Sequence, residues 1–284
     1  MTSEGIDQGI DQSGDRGQDE TRARGELRCS DRDPWALYDE MIAGIPEGVA
    51  VTDFCVGRSW CYVVADCGMG IGHTVAGGAR RRFQGDPRDL DLRALASLAK
   101  SWNFVDASLG VAALNAWYCR PEAIRALGGT IDEGVVASHD ASNPLRGMLC
   151  QRWQGKRVAV VGHFPGVEAM ARQAQVTVLE RDCSQDGDVP DSACEFVVPR
   201  QDFVLMTGTT LTNKTAPRLL ELARDAVAVM VGPSSVPSPA LIAHGADVIG
   251  GSVVVDPEPA RFAIKGGSKQ DWRAGIRKFS IERP

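Results

Sequence analysis

The chain has 284 residues, of which 43% are hydrophobic and 24% are charged, and its formal net charge is −6. This composition is typical of a globular protein large enough for about two domains. The acidic balance disfavours a nucleic-acid or anionic-membrane surface, no apolar run could span a bilayer, and no secretory signal is recognisable. We therefore expect a cytoplasmic protein whose partners include neither nucleic acids nor membranes.

The first half of the chain is predicted to be an α+β domain behind a disordered tail. Residues 1–30 are rich in Gly, Asp, Gln and Arg and have almost no large apolar side chains, which is typical of disorder. Residues 31–135 are assigned to the α+β domain. Its apolar spacing predicts a helix from Pro34, two strands joined by a turn at 57–59, and helices over 89–101 and 107–118.

The second half is predicted to be a parallel sheet wrapped by helices, a Rossmann-like domain over 156–284 that follows a connector at 136–155. Its last part, 256–284, is expected to be a partly structured extension. Alternating strands and helices indicate this α/β class, and such sheets bind ligands at the carboxyl ends of their strands. The predicted strands are about 157–161, 176–180, 203–207, 227–231 and 247–255, and the predicted helices are about 166–174, 214–223 and 239–244.

Gly162, His163 and Glu180 follow or end the first two predicted strands, which resemble the start of a nucleotide-binding unit. The loop reads GHFPG instead of GxGxxG, so NAD binding is unlikely. His163 is interpreted as an acid/base, a metal ligand or a packing residue. Glu180 is interpreted as a ribose or catalytic carboxylate, or as the ion-pair partner of a nearby arginine.

Two further polar loops are predicted at the same edge of the sheet. Their hydroxyls, backbone N–H groups and one ammonium are suited to a carboxylate or phosphate, although helix capping explains some of them equally well. The candidate ligand-binding residues here are Thr207, Gly208, Thr209, Thr210, Asn213, Lys214, Gly232, Ser234 and Ser235.

The first domain supplies a second group of candidates. The glycine-rich stretch after the hairpin could fold over a ligand or be a plain turn, and Lys100 and Asn103 lie at a helix end, where a structural role is the alternative. The candidates from this stretch are Gly70, Gly72, His73 and Thr74. His73 and His163 are the weak candidates for metal ligands.

The eight cysteines do not form a CxxC pair, which argues against a zinc ribbon or a thioredoxin-like site. We expect reduced and mostly buried thiols. A soft-metal site is the alternative.

Six segments of the chain resemble one protein family. They are LASLAKSWNFVDASLGVAALNAWY, GKRVAVVGHFPGVE, VTVLERD, GDVPDSACEFVVP, TGTTLTNKTAPRLLEL and VMVGPSSVPSP, in this order. From about Trp35 onward the chain is therefore similar to the "putative heavy-metal chelation" family. The resemblance implies a domain similar to the enolase N-terminal domain, then a Rossmann-like domain, with a site in the cleft between them. Enolase chemistry is not implied, because the resemblance does not include enolase's catalytic barrel.

Two functions follow as hypotheses. The first is a cytoplasmic protein that binds a small anionic ligand or a heavy-metal complex in the interdomain cleft. The second is an enzyme, a transferase or lyase acting on a nucleoside-like or metal-bound substrate, with His163 and Glu180 as its acid/base pair. A heavy-metal or transition-metal ion is the only cofactor that the sequence suggests, and a homodimer is the default expectation for a soluble metabolic protein.

Overall fold

The computed structural model describes residues 33–132, 149 and 151–283. The predicted tail at 1–30 and most of the predicted connector lie outside these residues. From Pro34 onward the described chain forms one compact unit. None of its helices is long and apolar enough to cross a membrane.

The first half of the chain builds a three-stranded antiparallel sheet in the order β1-β2-β3, packed against helices. The predicted hairpin is confirmed, whereas the helix expected over 89–101 is broken into short α and 3₁₀ segments at Pro87–Asp89, Leu92–Ala96 and Ser97–Lys100. The elements are α1 (Ala36–Ala43), β1 (Val51–Val56), β2 (Trp60–Ala65), β3 (Gly68–His73), α2 (Leu92–Ala96), α3 (Phe104–Tyr118) and α4 (Pro121–Ala126).

The glycine-rich stretch expected to be a loop is strand β3 for most of its length. Its glycines allow the strand backbone to lie against helix α3. A Cβ added at Gly70 would lie 2.0 Å from the Ala116 nitrogen and 2.1 Å from the Ala112 oxygen. Because only glycine fits there, close packing accounts for Gly70 without a ligand.

The second half builds most of an eight-stranded sheet in the order β4-β11-β10-β9-β8-β5-β6-β7. The five predicted parallel strands are confirmed within two residues at each end. The final segment, expected to be a wrap-around extension, contains two helices and strand β11, which pairs antiparallel with β10 along its whole length. The strands are β4 (Thr130–Ile131), β5 (Arg157–Val161), β6 (Gln175–Glu180), β7 (Val189–Pro190), β8 (Phe203–Thr207), β9 (Val227–Val231), β10 (Val248–Val254) and β11 (Ile276–Glu282).

Short helices flank this sheet, and the predicted helices over 166–174, 214–223 and 239–244 are confirmed with shorter bounds. The helices are α5 (Val167–Ala171), α6 (Cys194–Val197), α7 (Thr209–Thr212), α8 (Ala216–Leu222), α9 (Pro239–Ala243), α10 (Pro257–Ile264) and α11 (Lys269–Gly275). One hydrophobic core joins both halves of the chain, since Leu37 and Leu109 belong to the same buried cluster as Ala159 and Met230.

The parallel part of the sheet has a topological switch point. Counted from β5, its six strands follow the order 3-2-1-4-5-6, which is the strand order of doubly wound dinucleotide-binding sheets. The chain leaves β5 towards β6 on one side and returns to β8 on the other. Sheets of this kind bind their ligands at the carboxyl ends of the two strands that flank the switch point, here β5 and β8.

Candidate functional site

The loops after β5, β8 and β9 touch one another at this carboxyl edge. A Cβ added at Gly162, whose φ is +95°, would lie 3.1 Å from the Thr207 Cγ2 atom. A Cβ added at Gly208 would lie 2.4 Å from the backbone of Ser234 and Ser235. The structure thus brings the three predicted loops together, and glycine is required where they meet.

His163 forms a hydrogen bond with a carboxylate that the sequence did not single out. Its Nε2 lies 3.0 Å from Asp188 Oδ1, and the Asp188 side chain is only 3% exposed. Burial acts to raise the pKa of Asp188, but hydrogen bonds from Gln185 N–H and from His163 outweigh it and lower the pKa below its usual value. Asp188 is therefore a carboxylate that orients the His163 ring.

Glu180 does not form a hydrogen bond with His163. Its Oε1 accepts a hydrogen bond of 2.8 Å from the backbone N–H of Arg181, while the guanidinium of Arg181 pairs with Asp191 at 3.0 Å. Glu180 still ends β6, directly beside β5, so it lies at the same edge as His163. Its part in an acid/base pair stays a prediction.

The threonine-rich segment after β8 is largely occupied by its own turn. Thr210 Oγ1 donates to the Thr207 carbonyl at 2.7 Å, and Thr209 Oγ1 donates to Thr207 Oγ1 at 3.2 Å. Asn213 Oδ1 accepts from the backbone N–H and the hydroxyl of Thr215 at 3.1 and 2.7 Å. These bonds are contacts within the turn, since neither α7 nor α8 has a side-chain cap at its N-terminus, and Thr212 Oγ1 is buried without a hydrogen-bond partner.

The loop after β9 meets the end of β3. Ser234 Oγ accepts a hydrogen bond of 2.8 Å from the His73 backbone N–H, and Asn115 on α3 donates to the carbonyls of Ile71 and Pro233 at 2.8 and 3.0 Å. Both Ser235 Oγ and His73 Nδ1 are buried without a partner. Because such groups are rare in folded proteins, they mark this junction as suited to a polar ligand.

Lys214 follows α7 and is unusual in both backbone and side chain. Its φ of 69° makes it a non-glycine residue in the left-handed region, which is strained. Its ammonium donates to the carbonyls of Ser101 and Thr212 and lies 5.9 Å from the Trp102 ring centre. Burial lowers the pKa of Lys214 to about 8.

Lys278 on β11 is a second buried lysine, and the sequence analysis missed it. Its Nζ donates to Ser252 Oγ at 3.1 Å, and burial lowers its pKa. Gly250 on β10 pairs with Val231, the last residue of β9, and Ser252 lies two residues further along β10. Ser252 and its partner Lys278 therefore lie at the carboxyl edge of the sheet. Lys278 follows Arg277 in the sequence, so no local pattern distinguishes it from a solvent-exposed lysine.

Two other predicted candidates have structural partners. Lys100 Nζ pairs with Asp39 at 2.6 Å and lies 5.1 Å from the Trp35 ring centre. Asn103 caps α3, since its Oδ1 accepts from the Asp106 N–H at 3.1 Å. Thr74 is half-buried at the end of β3, and its Oγ1 has no hydrogen-bond partner. Ligand roles for these residues remain predictions.

Direct metal ligation finds little support in the described part of the chain. No group of three or more His, Cys, Asp or Glu side chains there is arranged to hold a metal ion. The described cysteines are free thiols, and burial raises the pKa of Cys61 to about 12. A protonated thiol is a poor metal ligand. The donor set of these residues therefore does not fit a resident metal ion.

The fold and this edge define a class: a two-sheet α/β protein with polar loops at the topological switch point of its mostly parallel sheet. The family model DUF4213 matches residues 38–118 and DUF364 matches residues 147–280, both described as "putative heavy-metal chelation". The chain is 33% identical to a protein of unknown function from the DUF364 family of Desulfitobacterium hafniense DCB-2. That crystal structure superposes with a TM-score of 0.78 and covers 88% of this chain and 98% of its own. This chain therefore belongs to the DUF364 family.

Two more distant relatives also align over most of this chain. An uncharacterized protein of Methanocaldococcus jannaschii is 26% identical over 83% of this chain and 91% of its own length. A DUF364 family protein of unknown function from Pyrococcus horikoshii is 20% identical, with a TM-score of 0.69 over 87% of this chain and 98% of its own. The second likeness concerns the fold alone. Together they extend over both halves of the molecule.

Proposed function

We propose that the protein binds a small anionic ligand, free or as its complex with a heavy-metal ion, between the carboxyl edge of the parallel sheet and the end of β3. One observation supports this most strongly: the ammonium groups of Lys214 and Lys278 are shielded from water, and neither forms an ion pair within the described residues. Removing an unpaired charge from water costs several kcal/mol. A carboxylate or phosphate on the ligand would supply the missing negative charge.

In this proposal the metal is cargo carried by the ligand. The described residues do not provide a cluster of metal-binding side chains, whereas ammonium groups and hydroxyls suit the oxygens of a small chelator. The unpartnered polar atoms of Ser235 and His73 add hydrogen-bonding capacity where the loop after β9 meets β3, and that of Thr212 adds it in the segment after β8. The family description and the chemistry of this edge agree if the protein recognises a chelate instead of a bare ion.

Replacing Lys278 with methionine is expected to weaken anion binding at least about tenfold, because a charge-assisted hydrogen bond contributes about 1.5–3 kcal/mol. Calorimetric titration with citrate, pyrophosphate and zinc citrate measures this. The control is Lys156→Met, which removes an exposed lysine at the start of β5 and should leave the affinities unchanged. Zinc ion alone is expected to bind more weakly than zinc citrate.

Two results would contradict this proposal. Stoichiometric binding of zinc ion alone, with Lys278→Met unaffected, would indicate chelation by protein side chains. Failure of all three anions to bind at millimolar concentration would remove the anion site altogether.

A second function is favoured by one specific observation, the hydrogen bond between His163 and Asp188 at the switch point. A histidine oriented by a buried carboxylate is the arrangement of many general acid/base catalysts. On this proposal the protein is a transferase or lyase in which His163 moves a proton on the bound ligand. Glu180, at the adjacent strand end, would be the second carboxylate near the reacting atoms.

The acid/base role predicts that His163→Gln abolishes turnover while ligand affinity changes little. Because the substrate is unidentified, the measurement is mass spectrometry of a small-molecule extract incubated with each protein, which scores masses consumed by the wild type. His244→Gln is a matched control, since His244 Nε2 forms a similar bond of 3.1 Å with Glu40 away from the switch point. Equal consumption by wild type and His163→Gln would show that His163 is not catalytic.

A further inference from the structure

An exposed tryptophan near a run of arginines borders the site described above, on the side of Lys214. Trp102 precedes α3 and is 57% exposed. The indole is nevertheless held in place: Trp35 contacts it edge-on at 5.5 Å between ring centres, and the Lys214 ammonium lies 5.9 Å from its centre. A large aromatic surface is thus kept in one position and left open to solvent.

The loop that follows β3 is pinned to the backbone of Trp102. Ala79 N–H donates to the Trp102 carbonyl at 2.8 Å, and Gly78 forms a β-bridge with Asn103. A Cβ added at Gly78, whose φ is +78°, would lie 2.2 Å from the Trp102 carbonyl oxygen. The loop therefore has a defined position next to the Trp102 backbone, and the next three residues of the chain are all arginines.

The three arginines differ in their partners. Arg81 Nε donates to Asp106 Oδ1 at 2.7 Å, and the Asp106 side chain is fully buried, so the middle arginine anchors the run. Arg80 and Arg82 are exposed, and neither forms an ion pair within the residues that the structure describes. With Lys214 nearby, the surface has a local excess of positive charge on a protein whose net charge is −6.

We propose that Arg80, Arg82 and Trp102 form a binding site for a nucleotide-like ligand, a single planar aromatic group that carries a phosphate. An aromatic base stacks on an exposed indole, and guanidinium groups bind phosphate oxygens through paired N–H donors. One tryptophan offers a platform for one base, and the acidic protein as a whole disfavours a long polyanion. This site goes beyond the proposed anion site: the two have Lys214 as a common neighbour, but the nucleotide-like site does not depend on Lys278.

The test compares three probes by calorimetry: AMP, ribose 5-phosphate and adenosine. AMP is expected to bind the wild type about tenfold more tightly than either of the others, because stacking contributes about 1–3 kcal/mol per base. Trp102→Leu should remove the advantage of AMP over ribose 5-phosphate. Arg80→Gln with Arg82→Gln should remove its advantage over adenosine. Arg172→Gln removes one positive charge at an exposed position directly after α5 and should change neither ratio.

Several outcomes would overturn this site. AMP that binds no better than ribose 5-phosphate, or an AMP advantage that survives Trp102→Leu, would show that the indole is not a stacking platform. Binding of oligouridylate without binding of AMP would indicate a nucleic-acid surface in place of a nucleotide site. Lys278→Met is expected to leave the ratio of the AMP affinity to the ribose 5-phosphate affinity unchanged, so the two proposals fail separately.

Discussion

Replacing Lys214 with methionine is expected to change how the stability of the protein depends on pH. The pKa of Lys214 is lowered to about 8 in the folded protein, against about 10.4 in an unfolded chain. Between these values the unfolded chain holds a proton that the folded protein has released, so the free energy of unfolding of the wild type rises with pH. Below pH 8 both states are protonated, and the cost of burying the ammonium is fully present.

The Lys214→Met variant lacks this pH-dependent cost of burying an ammonium group. The free energy of unfolding of the variant minus that of the wild type should therefore fall by about 2–3 kcal/mol between pH 7 and pH 10. Urea unfolding at four pH values in this range measures the difference, and other titrating groups cancel. Lys156→Met removes an exposed ammonium and should not show the trend. A difference independent of pH would mean that the Lys214 ammonium is well solvated.

This behaviour distinguishes a ligand site from a simple cap. A lysine that only caps the carbonyls of Ser101 and Thr212 would be stabilising at neutral pH. A lysine whose burial destabilises the folded protein becomes less destabilising when an anion binds next to its ammonium group. Citrate should therefore raise the free energy of unfolding of the wild type more than that of Lys214→Met, by the linkage between binding and stability.

Much of the fold was predictable from local pattern alone. Four of the five parallel strands begin as short apolar runs that end in glycine or small polar residues, and such runs are typical of strands buried on both faces. Their alternation with helices then specifies a parallel sheet, because right-handed crossovers leave few other arrangements. The carboxyl edge, with Gly162 and Thr207 opposite each other, follows from that topology.

Strands β3 and β11 were not predictable in this way. The sequence of β3, Gly-Met-Gly-Ile-Gly-His, has low β propensity, and it is a strand because its glycines let α3 approach. Strand β11 pairs with β10 across two intervening helices, a non-local choice that local pattern does not encode. Tertiary contact overrides propensity in both places.

The residues of the candidate site were likewise only partly predictable from the sequence. His163 was found because it directly follows a strand, whereas its partner Asp188 lies 25 residues later in a polar loop that has no periodic signal. Lys278 is brought to the edge only by the antiparallel return of β11. A sequence can indicate which loops meet at a sheet edge, but partners that arrive from distant segments depend on the three-dimensional pairing.

Gly70→Ala is expected to cause the largest loss of stability. The added methyl group would lie 2.0 Å from the Ala116 nitrogen and 2.1 Å from the Ala112 oxygen, both in the backbone of α3, which cannot move aside as a flexible side chain can. Overpacking a buried site typically costs 1–3 kcal/mol, and more where backbone must shift. We expect a loss of about 3 kcal/mol or more in the free energy of unfolding, and a fall of about 6–12 °C in Tm.

Gly85→Ala is the matched control, since a Cβ there would make only an ordinary contact of 3.4 Å with the Phe83 ring at an exposed position. Its Tm should stay within about 2 °C of the wild type, because surface changes of this kind stay near ±0.5 kcal/mol. Since β3 carries His73 to Ser234, Gly70→Ala should also weaken citrate binding in the fraction that remains folded. A Gly70→Ala protein with unchanged Tm would show that β3 and α3 are not in such close contact, and that their glycines serve another purpose.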